Sequence, residues 1–180
     1  MQINRIIEFL ETDTLSATFS PTGLKYLSLR GNNGEFIINL RSFNENKNLD
    51  PIVSRLVKET WVFLETGYHK MALDLSDFTP FQQTVLNAVG KIEAGNICTY
   101  KDLAQLLGKP GAARAVGNAI TKNPVSYFIP THRVVPQRGL GICRSGAGFL
   151  REKLLILEGH DIDKLRGNYI CNKNKCCIRK

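Results

Sequence analysis

The sequence lacks the patterns that define several large classes of protein. It contains no apolar run of about 18 residues, the length needed to span a bilayer, so no membrane span is expected. Met1–Phe9 shows no basic stretch followed by an apolar one, and we therefore expect no secretory signal and a cytoplasmic location. Internal repeats, a Walker loop and a dinucleotide fingerprint are also missing, which argues against a solenoid and the common nucleotide-binding folds.

Cysteine is present, but in a pattern that does not suit a disulfide scaffold. The five cysteines are Cys98, Cys143, Cys171, Cys176 and Cys177. Because their number is odd and they gather late in the chain, we expect free thiols in a reducing compartment. The last three could bind a metal together with His160, but their spacing matches no usual zinc pattern. We therefore expect no metal and no cofactor.

Acidic residues are scarce in only one part of the chain. Residues 1–79 carry 8 basic and 10 acidic side chains, a net charge of −2. Residues 80–180 carry 16 basic and 6 acidic side chains, a net charge of +10. A basic part beside a nearly neutral part is typical of a polyanion-binding domain with a helper domain. The alternative is a soluble protein with solvated lysines, because basicity alone does not specify a partner.

The first part of the chain predicts a small sheet followed by a helix. Three stretches alternate between apolar and polar side chains, namely residues 14–19, 24–29 and 35–40. With turn signals between them, they predict a three-stranded antiparallel meander. Pro51 suits the first turn of a helix, and Gly67 suits its end. His69, just beyond this helix, is expected at the surface.

The second part predicts helices separated by turns. Thr79–Gln82 combines an N-cap, a proline at the first helical position and a capping-box glutamine, and this helix is expected to reach about Glu93. Thr99–Asp102 is a second capping-box pattern. The helix that it begins is followed by the breaker Gly108–Gly111 and by a helix at Ala112–Ile120. A helix, a glycine-containing turn and a second helix form a helix-turn-helix arrangement.

The second helix of this pair carries very small side chains. Arg114 is the only long side chain between Ala112 and Ile120, so the backbone can approach a surface closely. Recognition helices that read base edges display several polar side chains. This helix therefore suits recognition of a lesion or of DNA shape. A packing helix with one solvated arginine is the alternative.

A hydroxyl beside a histidine is the next notable feature, within Ile129–Val135. Pro130 fixes the backbone ahead of Thr131, His132 follows at once, and apolar residues lie on both sides. This pattern is typical of a buried strand or turn that carries a nucleophile or a binding group.

A set of separated motifs resembles the signature of the O6-alkylguanine-DNA alkyltransferases. The motifs are Tyr100, Ala113–Gly117, Asn123-Pro124, Ile129–Val134, Ser145-Gly146 and Glu158-Gly159. The resemblance covers residues 79–160 and extends more weakly to the N-terminal strands. With the patterns above, it predicts an α/β (α+β) fold: an N-terminal domain at 1–76 with the three-stranded antiparallel sheet and a helix, a mainly helical DNA-binding domain at 77–162, and a basic tail at 163–180, expected to be disordered.

The resemblance also implies how such a domain would act. Its helix-turn-helix would enter the minor groove of duplex DNA, and a damaged guanine would be flipped out of the stack into a pocket. Arg114 would fill the vacated space, and Tyr100 would help to rotate the nucleotide and bond the base. Asn123 would be the hinge between the recognition helix and the active-site strand.

The remaining roles implied by the resemblance concern the pocket and its chemistry. Val134 would lie on the pocket wall, and the backbone of Ser145 would address the guanine oxygen. His132 and Glu158 would form a relay that draws a proton from the residue at position 131. The other residues carried over as DNA contacts are Ala113, Ala115, Gly117 and Arg133.

The sequence departs from the family at the acceptor position, where Thr131 replaces a cysteine that takes up the alkyl group. A thiol with a pKa of ~8.5 is readily ionised by a histidine, and its soft thiolate suits attack on a saturated carbon. An aliphatic hydroxyl is far less acidic, and attack on a methyl group offers no oxyanion to stabilise. The sequence therefore predicts that alkyl transfer is absent or very slow. A second departure is Cys143-Arg144 before Ser145, where the family commonly has a tyrosine, and Cys143 is a candidate substitute acceptor.

Three functions are compatible with these residues. We predict a monomeric DNA repair protein, nucleoid-associated or nuclear in a eukaryotic cell, that holds flipped O6-alkylguanine without accepting the alkyl group. Alkyltransferase-like proteins act in this way, although they usually carry tryptophan at this position. The first alternative is a methylated-DNA–protein-cysteine methyltransferase in which Thr131 was substituted for the acceptor cysteine. The second alternative is a helix-turn-helix regulator that uses the fold only to bind DNA.

Overall fold

The computed structural model describes residues 14–29, 36–39, 51–125, 127–141 and 146–166, which combine helix and sheet. The chain divides into two compact units. The first consists of Met1–Asp77 and Pro124–Phe128, and the second consists of Phe78–Asn123 and Ile129–Lys180. The predicted boundary at residues 76 and 77 stays a prediction, and the short segment Pro124–Phe128 belongs to the first unit.

The first unit contains an antiparallel sheet. Its strands are β1 (Thr14–Ser20), β2 (Gly23–Leu29) and β3 (Phe36–Asn39), in the order β2-β1-β3. The predicted meander is therefore wrong, because β3 pairs with β1 and not with β2. The two-residue turn between β1 and β2 forces those strands to pair as a hairpin. The connection after β2 is longer, so β3 is not forced to pair with β2 and can pair with the other edge of β1.

Helix α1 (Pro51–Thr66) follows the sheet in the first unit and begins at the predicted proline. Its apolar side buries Leu56, Val57 and Phe63. Gly67 has a φ of 73°, and its N–H donates to the Phe63 carbonyl, which ends the helix as predicted.

The second unit consists of helices and a two-stranded parallel ladder. Its elements are α2 (Pro80–Gly90), β4 (Cys98–Thr99), α3 (Tyr100–Leu106), α4 (Ala113–Thr121), β5 (Val134–Val135), α5 (Gly146–Leu157) and α6 (Ile162–Leu165). Both predicted capping boxes are confirmed, with Thr79 and Gln82 at α2 and with Thr99 and Asp102 at α3.

Two predicted boundaries in this unit are corrected. Helix α2 ends at Gly90 rather than near Glu93, because the Lys91 and Ile92 amides bond carbonyls only three residues back and tighten the last turn. Helix α6 covers residues that the sequence assigned to the tail, because the Asp161 carboxylate caps it. Residues 167–180 of the predicted tail lie outside the described residues.

The second unit has an apolar core between its helices. Helix α4 packs against both α2 and α3, and these three helices bury the side chains of Leu86, Val89, Leu103, Val116 and Ile120. A neighbouring cluster joins Val135 of β5 to Leu155 of α5 and Ile162 of α6. Burial of these apolar side chains holds β5, and with it the turn before β5, against α5.

The structure also bears on two further predictions, the absence of a membrane span and the presence of free thiols. Among them, no helix is both long enough and apolar enough to cross a membrane. Cys98 is fully buried and takes part in a disulfide bond, so the prediction of a free thiol is wrong at this position.

Candidate functional site

The stretch around Thr131 forms two successive tight turns. Pro130 has φ −76° and ψ 65°, and the Thr131 amide donates to the Ile129 carbonyl at 2.7 Å, which is the geometry of an inverse γ-turn. Thr131–Arg133 then form a single 3₁₀ turn in which the Arg133 amide donates to the Pro130 carbonyl. The proline ring supplies the required φ, so the sequence Ile-Pro-Thr determines this bend locally.

Strand pairing fixes the chain immediately after this turn. Val134 pairs in parallel with Cys98, and Val135 pairs with Thr99, the N-cap of α3. Val134 and Val135 are both fully buried. The turn at Thr131 therefore leads directly into the ladder from which α3 starts.

Asn123 holds the chain before the turn. Its side-chain amide donates to the Ile129 carbonyl at 3.1 Å, and its backbone amide donates to the Ile120 carbonyl at the end of α4. The predicted hinge residue thus bonds both the second helix of the pair and the residue that begins the γ-turn.

The side chains of His132 and Glu158 are hydrogen-bonded, as the predicted relay requires. The His132 Nε2 atom lies 2.9 Å from a Glu158 carboxylate oxygen, and the His132 side chain is only 4% exposed. Glu158 follows the last residue of α5, where the positive φ of Gly159 and the bond from the His160 amide to the Leu155 carbonyl complete a Schellman motif.

Arg133 makes the largest number of polar contacts to the same carboxylate. Its Nε atom donates to both carboxylate oxygens of Glu158, at 2.9 and 3.1 Å, and its Nη2 atom donates at 2.6 Å. Its Nη1 atom donates to the Ile92 carbonyl, just beyond α2. With 1% exposure, Arg133 is not available to DNA, so its assignment as a DNA contact is corrected. A buried guanidinium needs such a partner.

These contacts determine the charges of the site. Burial alone would raise the pKa of Glu158, but the hydrogen bonds from His132 and Arg133 and the charge of Arg133 outweigh it and lower the pKa to about 2. Burial lowers the pKa of His132, although its bond to Glu158 opposes this shift. At neutral pH the imidazole is therefore uncharged. Because Glu158 is ionised and can only accept, Nε2 carries the proton, and Nδ1 keeps the lone pair that can act as a base.

Thr131 itself is half-buried, and it immediately precedes His132, the histidine of this network. Its neighbour in sequence is a neutral histidine whose orientation is fixed by a largely buried carboxylate, which is the base-and-orienter pair of a nucleophile-activating arrangement. The threonine hydroxyl is too weak an acid for this base to ionise appreciably, and it is a harder nucleophile than a thiolate. The site can therefore orient a group at position 131 but lacks a thiol there.

The other residues predicted to contact DNA lie on helices α3 and α4. Helices α3 and α4 pack together, and a Cβ added to Gly117 would lie 3.8 Å from the Tyr100 ring. Gly117 of α4 therefore lies beside the Tyr100 ring, at a distance where an alanine would make ordinary contact. Arg114 and Ala115 are exposed, and Ala113 is half-buried. Ser145 and Cys143 lie outside the described residues.

Two groups of this site carry no clear signal in the sequence. The Ile92 carbonyl bonds Arg133, and the Gly95 amide donates to the Glu158 carboxylate at 3.3 Å. Both are backbone groups, which residue identity does not reveal. For Arg133 a signal exists: a charged residue between Pro130 and two valines indicates a buried, paired charge. Within the described residues, no cluster of three or more potential metal ligands occurs.

Comparison with known sequences gives consistent matches. Residues 80–160 match the profile of the 6-O-methylguanine DNA methyltransferase, DNA binding domain. A methylated-DNA–protein-cysteine methyltransferase of Shigella flexneri is 43% identical over 82 residues, which are 46% of this chain and 48% of that protein. Its counterpart in Metallosphaera sedula is 46% identical over 79 residues, or 44% and 49% of the two chains. The chain thus spans about half the length of the curated relatives it matches.

Comparison with solved structures extends the likeness beyond this region. The fold is similar to that of an OGT from Mycobacterium tuberculosis in complex with DNA, with a TM-score of 0.61 and 30% identity. This match covers 80% of the present chain and 85% of the other. The O6-methylguanine methyltransferase of the same organism gives a TM-score of 0.60 and 28% identity, covering 80% and 91% of the two chains.

Proposed function

The chain belongs to the family of methylated-DNA–protein-cysteine methyltransferases, and on this premise we propose that it binds duplex DNA and holds O6-alkylguanine without accepting the alkyl group. The lesion would be flipped from the stack, since an atom inside the duplex is otherwise out of reach. The observation that carries the proposal is the hydroxyl of Thr131 in place of the family's acceptor thiol, on a turn that the Asn123 side chain still holds.

DNA binding in this proposal depends on α3 and α4. These helices would form a helix-turn-helix, with the small side chains of α4 against the minor groove and the exposed Arg114 in the space left by the flipped base. Tyr100 would contact the flipped nucleotide, with Val134 on the pocket wall and the Ser145 backbone at the guanine oxygen. The net charge of +10 over residues 80–180 favours a polyanionic partner.

Retention without transfer follows from the chemistry at position 131. Nδ1 of His132 could accept a proton, but a threonine hydroxyl gives up its proton much less readily than a thiol. Attack on a methyl carbon also develops no oxyanion that backbone amides could stabilise. Thr131 would therefore line the pocket or hydrogen-bond the base, and the bound lesion would remain alkylated.

A gel-shift comparison tests this binding function. We expect duplexes containing O6-methylguanine to bind more tightly than matched duplexes with guanine, and no labelled methyl group to appear on the protein. The Arg114→Ala variant, which removes the residue proposed to fill the vacated space, should lose most of this preference. Equal affinities for the two duplexes would contradict the proposal.

The second candidate is alkyl transfer by a form of this protein with cysteine at position 131. The His132–Glu158 bond favours it, because a protein that only binds has less need of a proton relay. We expect Thr131→Cys to transfer a labelled methyl group, and His132→Gln in that background to slow transfer ~10²-fold or more, as loss of a general base does. Thr131→Ser is the matched control and should remain inactive. An inert cysteine variant would show that the rest of the site has lost its activity.

A further inference from the structure

We propose that His69, a residue of the first unit, is a positioning residue for the turn that presents Thr131. The inference rests on the proposed function, because a held turn matters only if position 131 faces a ligand. His69 was expected at the surface, but its ring is half-buried and makes specific contacts with the segment Pro124–Phe128. That segment leads directly into the γ-turn.

Both ends of the segment are bonded within the first unit. At its start, the Leu27 amide donates to the Pro124 carbonyl at 2.8 Å, and Leu27 forms a parallel bridge with Val125. At its end, the His69 ring stacks on the Phe128 ring, with centroids 4.3 Å apart and planes inclined by 19°. Phe63 packs edge-on against Phe128, at 5.9 Å and 69°.

The hydrogen bonds of His69 define its tautomer. The Met71 amide donates to Nδ1 at 3.2 Å, so Nδ1 must carry a lone pair. Nε2 therefore carries the proton and donates to the Phe128 carbonyl at 3.1 Å. Only the neutral ring makes both bonds, because protonation at Nδ1 would remove the acceptor used by Met71.

The neighbouring charges do not force the ring into its charged form. Glu59 of α1 accepts the Lys70 amide, and Arg55 of the same helix donates to the Lys70 carbonyl at 3.1 Å. The negative charge of Glu59 favours protonation of His69, but burial has the larger effect and lowers the pKa of the imidazole. The segment around Lys70 is thus fixed to α1, and it presents a neutral His69.

The carbonyl that His69 bonds lies in the peptide that starts the functional turn. The Phe128 carbonyl belongs to the peptide unit shared with Ile129, and the Ile129 carbonyl accepts from both Thr131 and Asn123. One residue before Phe128, Tyr127 has a φ of 71°, a left-handed conformation that is unfavourable for a residue with a side chain. Such a conformation persists where its surroundings fix it, and His69 fixes the adjoining residue.

Two substitutions separate the ring contact from the hydrogen bonds. His69→Phe keeps an aromatic ring against Phe128 but loses both polar bonds, whereas the Nε2 amide of His69→Gln can still donate to the Phe128 carbonyl. We expect His69→Phe to increase hydrogen exchange at the Thr131 and Arg133 amides about tenfold and to reduce lesion preference by a similar factor. His69→Gln should restore most of both. Phe63→Leu is the matched control, since it removes a ring contact to Phe128 but no polar bond.

The pH profile adds a readout that a purely structural role would not change. In the wild-type protein, exchange at Thr131 and Arg133, corrected for its intrinsic pH dependence, should accelerate as His69 becomes protonated. In His69→Gln this part of the profile should be absent, while any part due to His132 remains. If His69→Phe does not fold by circular dichroism, the wild-type and His69→Gln profiles decide.

The outcomes are distinguishable from failure of the proposed function. Unchanged exchange in His69→Phe, or identical effects of Phe63→Leu on exchange and pH profile, would overturn the positioning role. Identical pH profiles for wild type and His69→Gln would also overturn it. If the wild-type protein shows no lesion preference, the proposed function fails, and the exchange data still decide whether His69 holds the turn.

Discussion

The chemistry of the candidate site depends on one buried positive charge. Arg133 is almost completely buried, and its guanidinium bonds both Glu158 and the Ile92 carbonyl. The hydrogen bonds from His132 and Arg133, together with the charge of Arg133, keep Glu158 ionised, and ionised Glu158 keeps the proton of His132 on Nε2. Arg133 therefore acts on His132 through Glu158, and its buried side chain does not face solvent.

The stability of the protein should fall on acidification in two steps. His132, His69 and His160 have folded pKa values that burial lowers, so the unfolded state takes up their protons first, and stability is lost as the pH falls below about 6.5. Glu158 stays ionised to about pH 2 when folded, so its contribution is present above pH 4.5 and is lost as the pH falls towards 2. Urea denaturation between pH 2 and 8 measures both steps.

The Glu158→Gln variant isolates the second step. We expect its unfolding free energy at pH 7 to be lower by about 3–5 kcal/mol, because Arg133 loses its counter-ion in a buried place. Its stability should no longer respond to the titration of residue 158. Asp163→Asn is the control, since the Asp163 side chain is 93% exposed and its ion pair with Arg166 is long, at 3.6 Å. A similar loss in both variants would contradict a special role for the buried network.

At the level of elements, the two capping boxes offer a direct comparison. Thr99 is 2% exposed, its hydroxyl donates to Asp102 at 2.7 Å, and the Asp102 amide donates to it at 3.1 Å. Thr79 is exposed, and its oxygen accepts from the Gln82 amide at 3.4 Å. The first cap is thus tighter and better shielded from water than the second.

We expect Thr99→Ala to destabilise the protein more than Thr79→Ala. Loss of a capping residue costs about 0.5–2 kcal/mol, and the buried cap should lie at the upper end because its partners cannot turn to water. Because Thr99 also pairs with Val135, its loss should loosen the ladder next to the turn of Thr131. Thermal unfolding of both variants provides the measurement, and equal losses would argue against this difference in shielding.

The elements that the sequence predicted correctly are those determined locally. Pro51 and the two capping boxes act within one helical turn, so residue identity is enough to place the starts of three helices. The order of the strands was missed because the choice between β1 and β2 as partner of β3 depends on contacts distant in sequence. For the same reason, His69 seemed a surface residue: its partner Phe128 lies 59 positions further on.

In the candidate site too, the features determined by neighbouring residues could be predicted, and those that depend on distant contacts could not. The proline-fixed turn at Thr131 could be inferred from three neighbouring residues, and a family resemblance supplied the pairing of His132 with Glu158. The resemblance also led to the error at Arg133, because a motif identifies a residue without giving its burial. Backbone partners such as the Ile92 carbonyl leave no trace in side-chain identity.

For the whole molecule, the relevant property is the uneven distribution of charge. The basic residues are concentrated after residue 79, and 10 of these 16 lie within residues 80–160, which match the DNA-binding domain profile. Contacts between lysine or arginine and phosphate release counterions from DNA, whereas recognition of a methyl group on guanine involves no charge. Affinity and lesion preference should therefore respond differently to salt.

We expect salt to weaken binding to both duplexes by the same factor, so that the preference for O6-methylguanine stays constant. The slope of log K against log salt should be about −0.9 for each phosphate contact.

Lys101→Gln and Lys122→Gln alter exposed residues of α3 and of the end of α4, and each should reduce the slope by about one if that residue contacts a phosphate. Lys58→Gln, at an exposed position of α1 in the nearly neutral part, is the matched control and should leave the slope unchanged. A preference that disappears as salt rises would mean that the two duplexes differ in their phosphate contacts, which contradicts recognition by an uncharged pocket.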